Sequence, residues 1–177
     1  KKIVLGKTDF FLISIVFLGI FAVLWSMDLQ AGLGIWKAYF FEPALLFVAI
    51  IHIKPSLDEA LRPLGILALF LSIVAGVQWI AGYGIPSPWN ILGSEFRLTS
   101  VYEYPNALAL ILAPILALFL GKIILQKKIS LFSGSILLAG FMVIWGTEAQ
   151  GAYVALFFVI LFLFLFTRYR FFVPIFF

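Results

Sequence analysis

Hydrophobic and polar positions divide the chain into six long apolar runs separated by short polar connections. The runs cover residues 10–25, 38–53, 63–80, 106–125, 129–145 and 152–166, and a seventh begins near Phe171. Each run is close to the ~20 residues that a helix needs to cross a hydrocarbon layer. The pattern predicts an all-α fold, a polytopic transmembrane helical bundle of about six complete helices, forming a single transmembrane domain over residues 1–177.

Composition supports a membrane protein and removes several kinds of site. Of the 177 residues, 64% are hydrophobic and 11% are charged, which is more apolar surface than a soluble domain of this length can bury. The chain has no cysteine and one histidine, so we expect no disulfide, no metal site and no cofactor. Because the chain begins without methionine and ends in an apolar stretch, we expect it to be a fragment of a longer polytopic protein.

The basic residues predict the orientation of the bundle. With a cytoplasmic N-terminus, ten of the twelve Lys and Arg residues fall on the inner side, and only Lys37 and Arg97 fall outside. This split agrees with the positive-inside rule. The formal net charge is +4, but the basic residues are scattered over short connections. They therefore indicate the orientation of the helices in the membrane, and we expect no nucleic-acid partner. All five tryptophans and five of the six tyrosines fall at or beyond the outer boundary, which indicates a function on that side.

The longest connection, residues 81–105, is predicted to be an outer, periplasmic loop that lies on or in the outer leaflet. A loop of this length in a helical bundle is usually functional or disordered, and its apolar content argues against disorder. Arg97 in this loop breaks the charge rule, and a guanidinium matches phosphate oxygens with a planar fork of donors. The alternative is a local ion pair with Glu95 or Glu103.

Pro105 and Asn106 predict the start of the fourth helix close to Arg97. Proline suits the first turn, where a backbone N–H is not needed, and Asn106 then lies beside unpaired N–H groups at the positive end of the helix dipole. Such a position favours an anion, and we include the preceding Tyr102 and Tyr104 in this candidate site. A stripe of small residues at four-residue spacing follows and predicts close helix contact: Ala109, Ala113, Ala117 and Gly121.

Lys37 and Glu42 lie where the second helix is predicted to enter the membrane from outside. They are candidates to complete or orient the Arg97 site, and Glu42 is also a candidate base. The alternative is that both side chains reach the interface and that Glu42-Pro43 marks a helix start. No charged residue is predicted deep inside a run, so the pattern does not indicate a proton relay or an ion path.

The connection after the fifth run offers two interpretations. Thr147 and Gln150 have the spacing of a capping box, with Glu148 in the first turn of the following helix. The competing interpretation is that Glu148 and Gln150 face the same outer cavity as Arg97. Both residues are therefore further candidates for substrate binding.

Three segments, in this order, resemble the membrane-embedded core of the O-antigen ligase and O-antigen polymerase superfamily, which includes bacterial protein O-oligosaccharyltransferases. They are GIWKAYFFEPALLF, RLTSVYEYPNALALIL and GTEAQGAYVALFFVILF. The resemblance implies a multi-pass glycosyltransferase of the bacterial inner membrane, of the inverting, lipid-donor type, acting in cell-surface polysaccharide and lipopolysaccharide biosynthesis. It implies transfer of a glycan from undecaprenyl or a related polyprenyl pyrophosphate to lipid A core, another glycan or a protein, among membrane lipids and without a metal.

The resemblance also implies roles for single residues. Arg97 matches the arginine ahead of the family's Pro-Asn helix start and is expected to bind pyrophosphate, and Asn106 matches the asparagine of that pattern. The family turn commonly reads Ser-Arg-Gly, whereas here Ala149 and Gln150 stand in place of Ser-Arg. The family's catalytic histidine lies in a periplasmic loop further along, so the catalytic base is unassigned. O-antigen polymerase, protein O-oligosaccharyltransferase, and a non-enzymatic lipid-glycan transporter or structural membrane subunit remain the alternatives.

Overall fold

The computed structural model describes residues 7–90 and 96–166, and all regular elements in those ranges are helical. They are α1 (Lys7–Leu24), α2 (Leu29–Trp36), a π-helical turn (Lys37–Phe41), α3 (Glu42–Ile53), α4 (Leu57–Ala81), α5 (Pro105–Gln126), α6 (Leu131–Thr147) and α7 (Gln150–Phe166). Because α2, the π-helical turn and α3 are continuous, they count as one helix, and the six predicted helices are confirmed. The predicted seventh helix near Phe171 lies outside the described residues.

Within the described residues, three helices are long and apolar enough to cross a membrane. They are Leu29–Ile53, Leu57–Ala81 and Pro105–Gln126, with 25, 25 and 22 residues. The other three apolar helices are shorter: Asp9–Leu24, Leu131–Thr147 and Gln150–Leu165. The all-helical prediction is therefore confirmed, together with the length and composition expected of membrane-spanning helices for three of the six.

Two predicted helix starts are wrong. The second helix begins at Leu29 instead of residue 38, because the Asp28 carboxylate accepts a hydrogen bond from the Ala31 N–H at 3.0 Å and caps the helix nine residues earlier. The third predicted helix also begins earlier, at Leu57, directly after Ser56. Pro63 is consequently inside α4.

The chain divides into two compact units, Lys1–Ser56 and Leu57–Phe177. In the first unit α1 packs against the helix formed by α2, the π-helical turn and α3. The Trp36 indole N–H donates to the Val16 carbonyl at 2.9 Å. This long-range hydrogen bond fixes the two helices to each other where Gly19 leaves space for the Trp36 ring.

In the second unit α6 packs against both α4 and α5, and α7 packs against α5. Fully buried side chains from three helices form its core: Leu71, Leu108, Leu112, Leu116, Phe119, Ile136 and Ile144. The Lys122 ammonium lies 2.6 Å from the Asp58 carboxylate, so the end of α5 is next to the beginning of α4. The two helices are therefore antiparallel, and the connection from 82 to 104 spans the opposite end of the unit.

Glycines on two helices allow the closest helix contacts in this core. A Cβ at Gly140 of α6 would lie 2.5 Å from Leu116 Cδ2 of α5, and one at Gly65 of α4 would lie 2.6 Å from Ile136 Cδ1 of α6. Real carbon atoms do not approach this closely, so a side chain at either site would force Leu116 or Ile136 to move within the packed core. The packing of α6 between α4 and α5 depends on both glycines.

Candidate functional site

Arg97 lies in the connection between α4 and α5, and its half-buried side chain contacts three other residues. Its Nε donates to the Thr147 carbonyl at 2.7 Å, and one terminal nitrogen donates to Asn106 Oδ1 at 3.2 Å. The guanidinium carbon lies 4.9 Å from the centre of the Trp89 ring, within the range of a cation–π contact. These contacts fix the direction of the guanidinium from the end of α6, the start of α5 and the loop itself.

The predicted alternative for Arg97 was a local ion pair with Glu95 or Glu103. Among the described residues, no ion pair joins Arg97 to Glu103, and Glu95 lies outside them. The three described partners of the guanidinium are a carbonyl, an amide and an aromatic ring, which are all neutral. They orient the positive charge of Arg97 without cancelling it.

The end of α6 differs from the predicted capping box. Thr147 is the last residue of α6, Glu148 follows in the left-handed region with φ 52°, and α7 begins at Gln150. The Thr147 hydroxyl donates back to the Ile144 carbonyl at 2.7 Å and accepts from the Ala149 N–H at 3.3 Å. The prediction that Thr147 and Gln150 cap α7, with Glu148 in its first turn, is therefore wrong.

Long-range hydrogen bonds explain why α6 continues past its predicted end. The last carbonyls of a helix need donors from elsewhere. The Leu98 N–H donates to the Gly146 carbonyl at 2.8 Å, and Arg97 donates to the Thr147 carbonyl. The Leu98 side chain occupies the place where a Cβ at Gly146 would be, so glycine is required there. A cation at the negative end of the helix dipole adds to this stabilisation.

A cavity of about 1060 Å³ lies between α5 and α7, and Arg97 is one of its lining residues. Asn106, Glu148 and Gln150 also line it, so the structure brings together four of the predicted site residues. This arrangement is the one expected from the competing interpretation of the turn. The apolar walls consist mostly of small side chains: Ala109, Ala113 and Ala117 from α5, and Ala152, Ala155 and Val159 from α7.

The stripe of small residues on α5 has a role beyond the predicted helix contact. Ala109, Ala113 and Ala117 line the cavity, and their size leaves space between two helices that still pack against each other. A Cβ at Gly121 would meet nothing within 4 Å. The prediction of close helix contact is therefore wrong for Gly121, whereas Ala109 and Ala113 are buried where α5 packs and also shape the cavity.

Tyr102 and Tyr104 do not line the cavity. Tyr102 is half-buried and packs against the hydrophobic core, while Tyr104 precedes α5 with extended backbone and is 60% exposed. Their predicted part in anion binding has no support from this geometry.

Lys37 and Glu42 form an ion pair in the first unit, with 3.6 Å between Nζ and Oε1. Pro43 cannot donate a backbone hydrogen bond, and the π-helical turn directly before α3 accommodates this loss. The turn also bonds the Glu42 N–H to the Lys37 carbonyl and brings these two residues to one face. Both residues lie in the middle part of the helix Leu29–Ile53, so the predicted helix start at Glu42-Pro43 is wrong. Two charged residues therefore occur within an apolar helix.

This position of the ion pair leads to a prediction about stability. We expect Lys37→Gln and Glu42→Gln each to lower the free energy of unfolding by about 1 kcal/mol at most, because the two side chains are 68% and 57% exposed and their charges interact at 3.6 Å. The double substitution should cost no more than either single one. Unfolding in detergent micelles measures all three, and a loss of several kcal/mol in a single variant would show that apolar surroundings shield the pair.

Two residues that hold the Arg97 loop were not recognised from the sequence. The sequence predicts only an interface position for Trp89, whereas its ring lies against Arg97 and its carbonyl accepts the Arg97 N–H at 3.0 Å. The pattern predicts Gln78 as part of an apolar run, whereas it is only 4% exposed and bonds to the loop. A lone amide near the end of an apolar run was the available signal for Gln78.

The chemistry of the cavity is the basis for assigning a function to this chain. Comparison with protein-family models, curated proteins and solved structures finds no match to it. The cavity combines a cation, two amides and a carboxylate with walls of small apolar side chains. Such a lining suits an amphiphile that has an anionic head and a hydrocarbon tail.

Proposed function

We propose that this protein is an integral membrane glycosyltransferase of the O-antigen ligase type. It takes a glycan from a polyprenyl pyrophosphate at the periplasmic face of the bacterial inner membrane and transfers it to lipid A core, another glycan or a protein. The observation that carries the proposal is the cavity beside Arg97, with charge at one end and apolar walls along α5 and α7. The ten-to-two division of basic residues supports six membrane spans and a cytoplasmic N-terminus.

The proposed donor matches the cavity in both of its parts. The pyrophosphate would lie against the Arg97 guanidinium, with the Asn106 amide and the N-terminus of α5 as further donors. The isoprene chain would lie between Ala113 and Ala117 of α5 and Ala155 of α7. Placing a charged head and a long apolar tail in one cavity requires both kinds of surface, and the cavity has them.

The same residues account for the proposed reaction. An acceptor hydroxyl oxygen attacks the anomeric carbon of the donor glycan, and the bond from that carbon to the pyrophosphate oxygen breaks with its electron pair on the pyrophosphate. Arg97 stabilises the negative charge that develops there, more strongly in the transition state than in the ground state. The acceptor proton passes to a base, and we assign this role to Glu148 because it is the carboxylate that lines the cavity.

One observation favours a non-enzymatic alternative, a lipid-glycan transporter or structural subunit. The bond from Arg97 to the Thr147 carbonyl is also what a basic side chain does when it caps a helix C-terminus. In that case the cavity would bind a lipid without catalysing a reaction on it. Reconstituting the protein with a polyprenyl-pyrophosphate glycan and candidate acceptors separates the two: transfer to an acceptor supports the enzyme, and donor binding without any transfer supports the alternative.

Filling the cavity tests the donor position directly. Ala117→Phe places an aromatic ring in the space between α5 and α7, so we expect binding of farnesyl pyrophosphate to weaken at least about tenfold, since one excluded tail loses several buried methylene groups. Ala107→Phe is the matched control, because Ala107 is half-buried on the same helix and does not line the cavity. Equal affinity in the two variants would place the ligand elsewhere.

A further inference from the structure

We propose that Gln78 is a positioning residue that holds Arg97 at the cavity through the backbone of residues 98–100. The inference rests on the proposed function where it concerns ligand binding. It goes further because it assigns the placement of the cation to a buried amide on α4, a helix that contributes no residue to the cavity lining. It therefore predicts an effect on the site from a substitution outside it.

Gln78 binds the loop with both halves of its amide. The Nε2 group donates to the Gly84 carbonyl at 2.7 Å and to the Ser100 carbonyl at 2.8 Å. The Oε1 atom accepts from the Ser100 N–H at 2.8 Å and from the Thr99 N–H at 3.3 Å. The side chain thus pairs with Ser100 through two short hydrogen bonds, as a neighbouring β-strand would, and also fastens the beginning of the loop.

The bonded segment continues directly into Arg97. Thr99 and Ser100 follow Leu98, and the Leu98 N–H donates to the Gly146 carbonyl at 2.8 Å. The Ser100 hydroxyl donates to the Leu71 carbonyl on α4 at 2.9 Å. Residues 97–100 are therefore fixed to α4 on one side and to the end of α6 on the other. Without Gln78, the hydrogen bond from the Ser100 hydroxyl to the Leu71 carbonyl would be the remaining described hydrogen bond from this segment to α4.

An amide is the side chain that this position requires. The loop offers carbonyl groups that need a donor and N–H groups that need an acceptor, and those of Thr99 and Ser100 belong to buried residues. Leucine supplies neither, and a carboxylate supplies only the acceptor. Buried backbone groups left without partners are costly, so the loop of a Gln78→Leu variant should move until water reaches them.

Spin labelling measures this movement without any assumption about function. The chain has no cysteine, so Val101→Cys, at an exposed position next to Ser100, gives a single labelling site. We expect Gln78→Leu to increase the mobility of the label and to weaken binding of farnesyl pyrophosphate at least about tenfold, because small displacements of a charged group cost much of its interaction. Ser72→Ala is the control, a buried polar substitution on α4 whose hydroxyl has no hydrogen-bond partner in the described residues.

The double substitution of Gln78→Leu with Arg97→Ala separates positioning from general loss of structure. If Gln78 acts through Arg97, the double variant binds no more weakly than Arg97→Ala alone, and Gln78→Asn, which retains the amide on a shorter stem, recovers part of the affinity. If Gln78→Leu has the label mobility or the binding affinity of the wild type while Arg97→Ala binds poorly, the positioning role of Gln78 is wrong and the proposed function is unaffected. Full binding by Arg97→Ala overturns the proposed function.

Discussion

Arg97→Ala is expected to lower the rate of glycan transfer by about 10² to 10³-fold, because the loss of one fixed donor to a developing negative charge costs ~3 kcal/mol or more. The effect should be largest on kcat, since the charge on the leaving pyrophosphate grows in the transition state. Arg97→Lys should retain part of the activity. A lysine keeps the charge but cannot bond to the Thr147 carbonyl and Asn106 in the planar geometry of a guanidinium.

The control for Arg97 must separate catalysis from capping. Lys127→Ala removes an exposed positive charge at the other end of α5, so its transfer rate should equal that of the wild type. Thermal unfolding of Arg97→Ala reports how much the Thr147 cap contributes to stability. If Arg97→Ala and Arg97→Lys both transfer glycan at the wild-type rate, the proposed function is wrong.

Gly140→Leu should be the most destabilising of the substitutions considered. The Cβ at this position would lie 2.5 Å from Leu116 Cδ2, and Leu116 is itself fully buried, so either Leu116 must repack within the core or α5 and α6 must separate. We expect the free energy of unfolding to fall by about 3 kcal/mol, the upper range for overpacking in a close-packed core. Unfolding of the purified protein in detergent, followed by circular dichroism, measures it.

Gly134→Leu is the matched control on the same helix. The nearest atom to a Cβ at Gly134 is Ile129 Cγ2 at 3.5 Å, an ordinary contact distance, so leucine should be accepted there. A similar loss of stability in the two variants would mean that helix propensity, and not the close approach of α5 and α6, is responsible. A loss confined to Gly140→Leu would confirm the contact.

The sequence predicts the helices well because their signal is local. Apolar runs of about 20 residues and the Pro105 start are visible without any knowledge of the fold. Helix ends are less predictable when their partners are distant. The early start at Leu29 has a local cause in Asp28, which pattern analysis overlooked, whereas the late end at Thr147 depends on Arg97 and Leu98, about fifty residues away.

The candidate site likewise contains residues that local sequence features predict and residues whose role depends on distant parts of the fold. Arg97 and Asn106 were found because a basic residue on the wrong side and a Pro-Asn helix start are local anomalies. The shared cavity with Glu148 depends on how α5 and α7 pack, which periodicity does not determine. Gln78 was missed because a single amide in an apolar run acquires its meaning only from the loop backbone that returns to it.

The π-helical turn at Lys37–Phe41 has a consequence for the whole helix from Leu29 to Ile53. One extra residue in the turn rotates the side chains that follow by about 100° relative to an uninterrupted α-helix. A single helical wheel drawn from Leu29 to Ile53 therefore superimposes residues that point in different directions. Side chains of α2 and side chains of α3 therefore form two separate stripes, offset around the helix axis. The Lys37–Glu42 ion pair lies where the first stripe ends and the second begins.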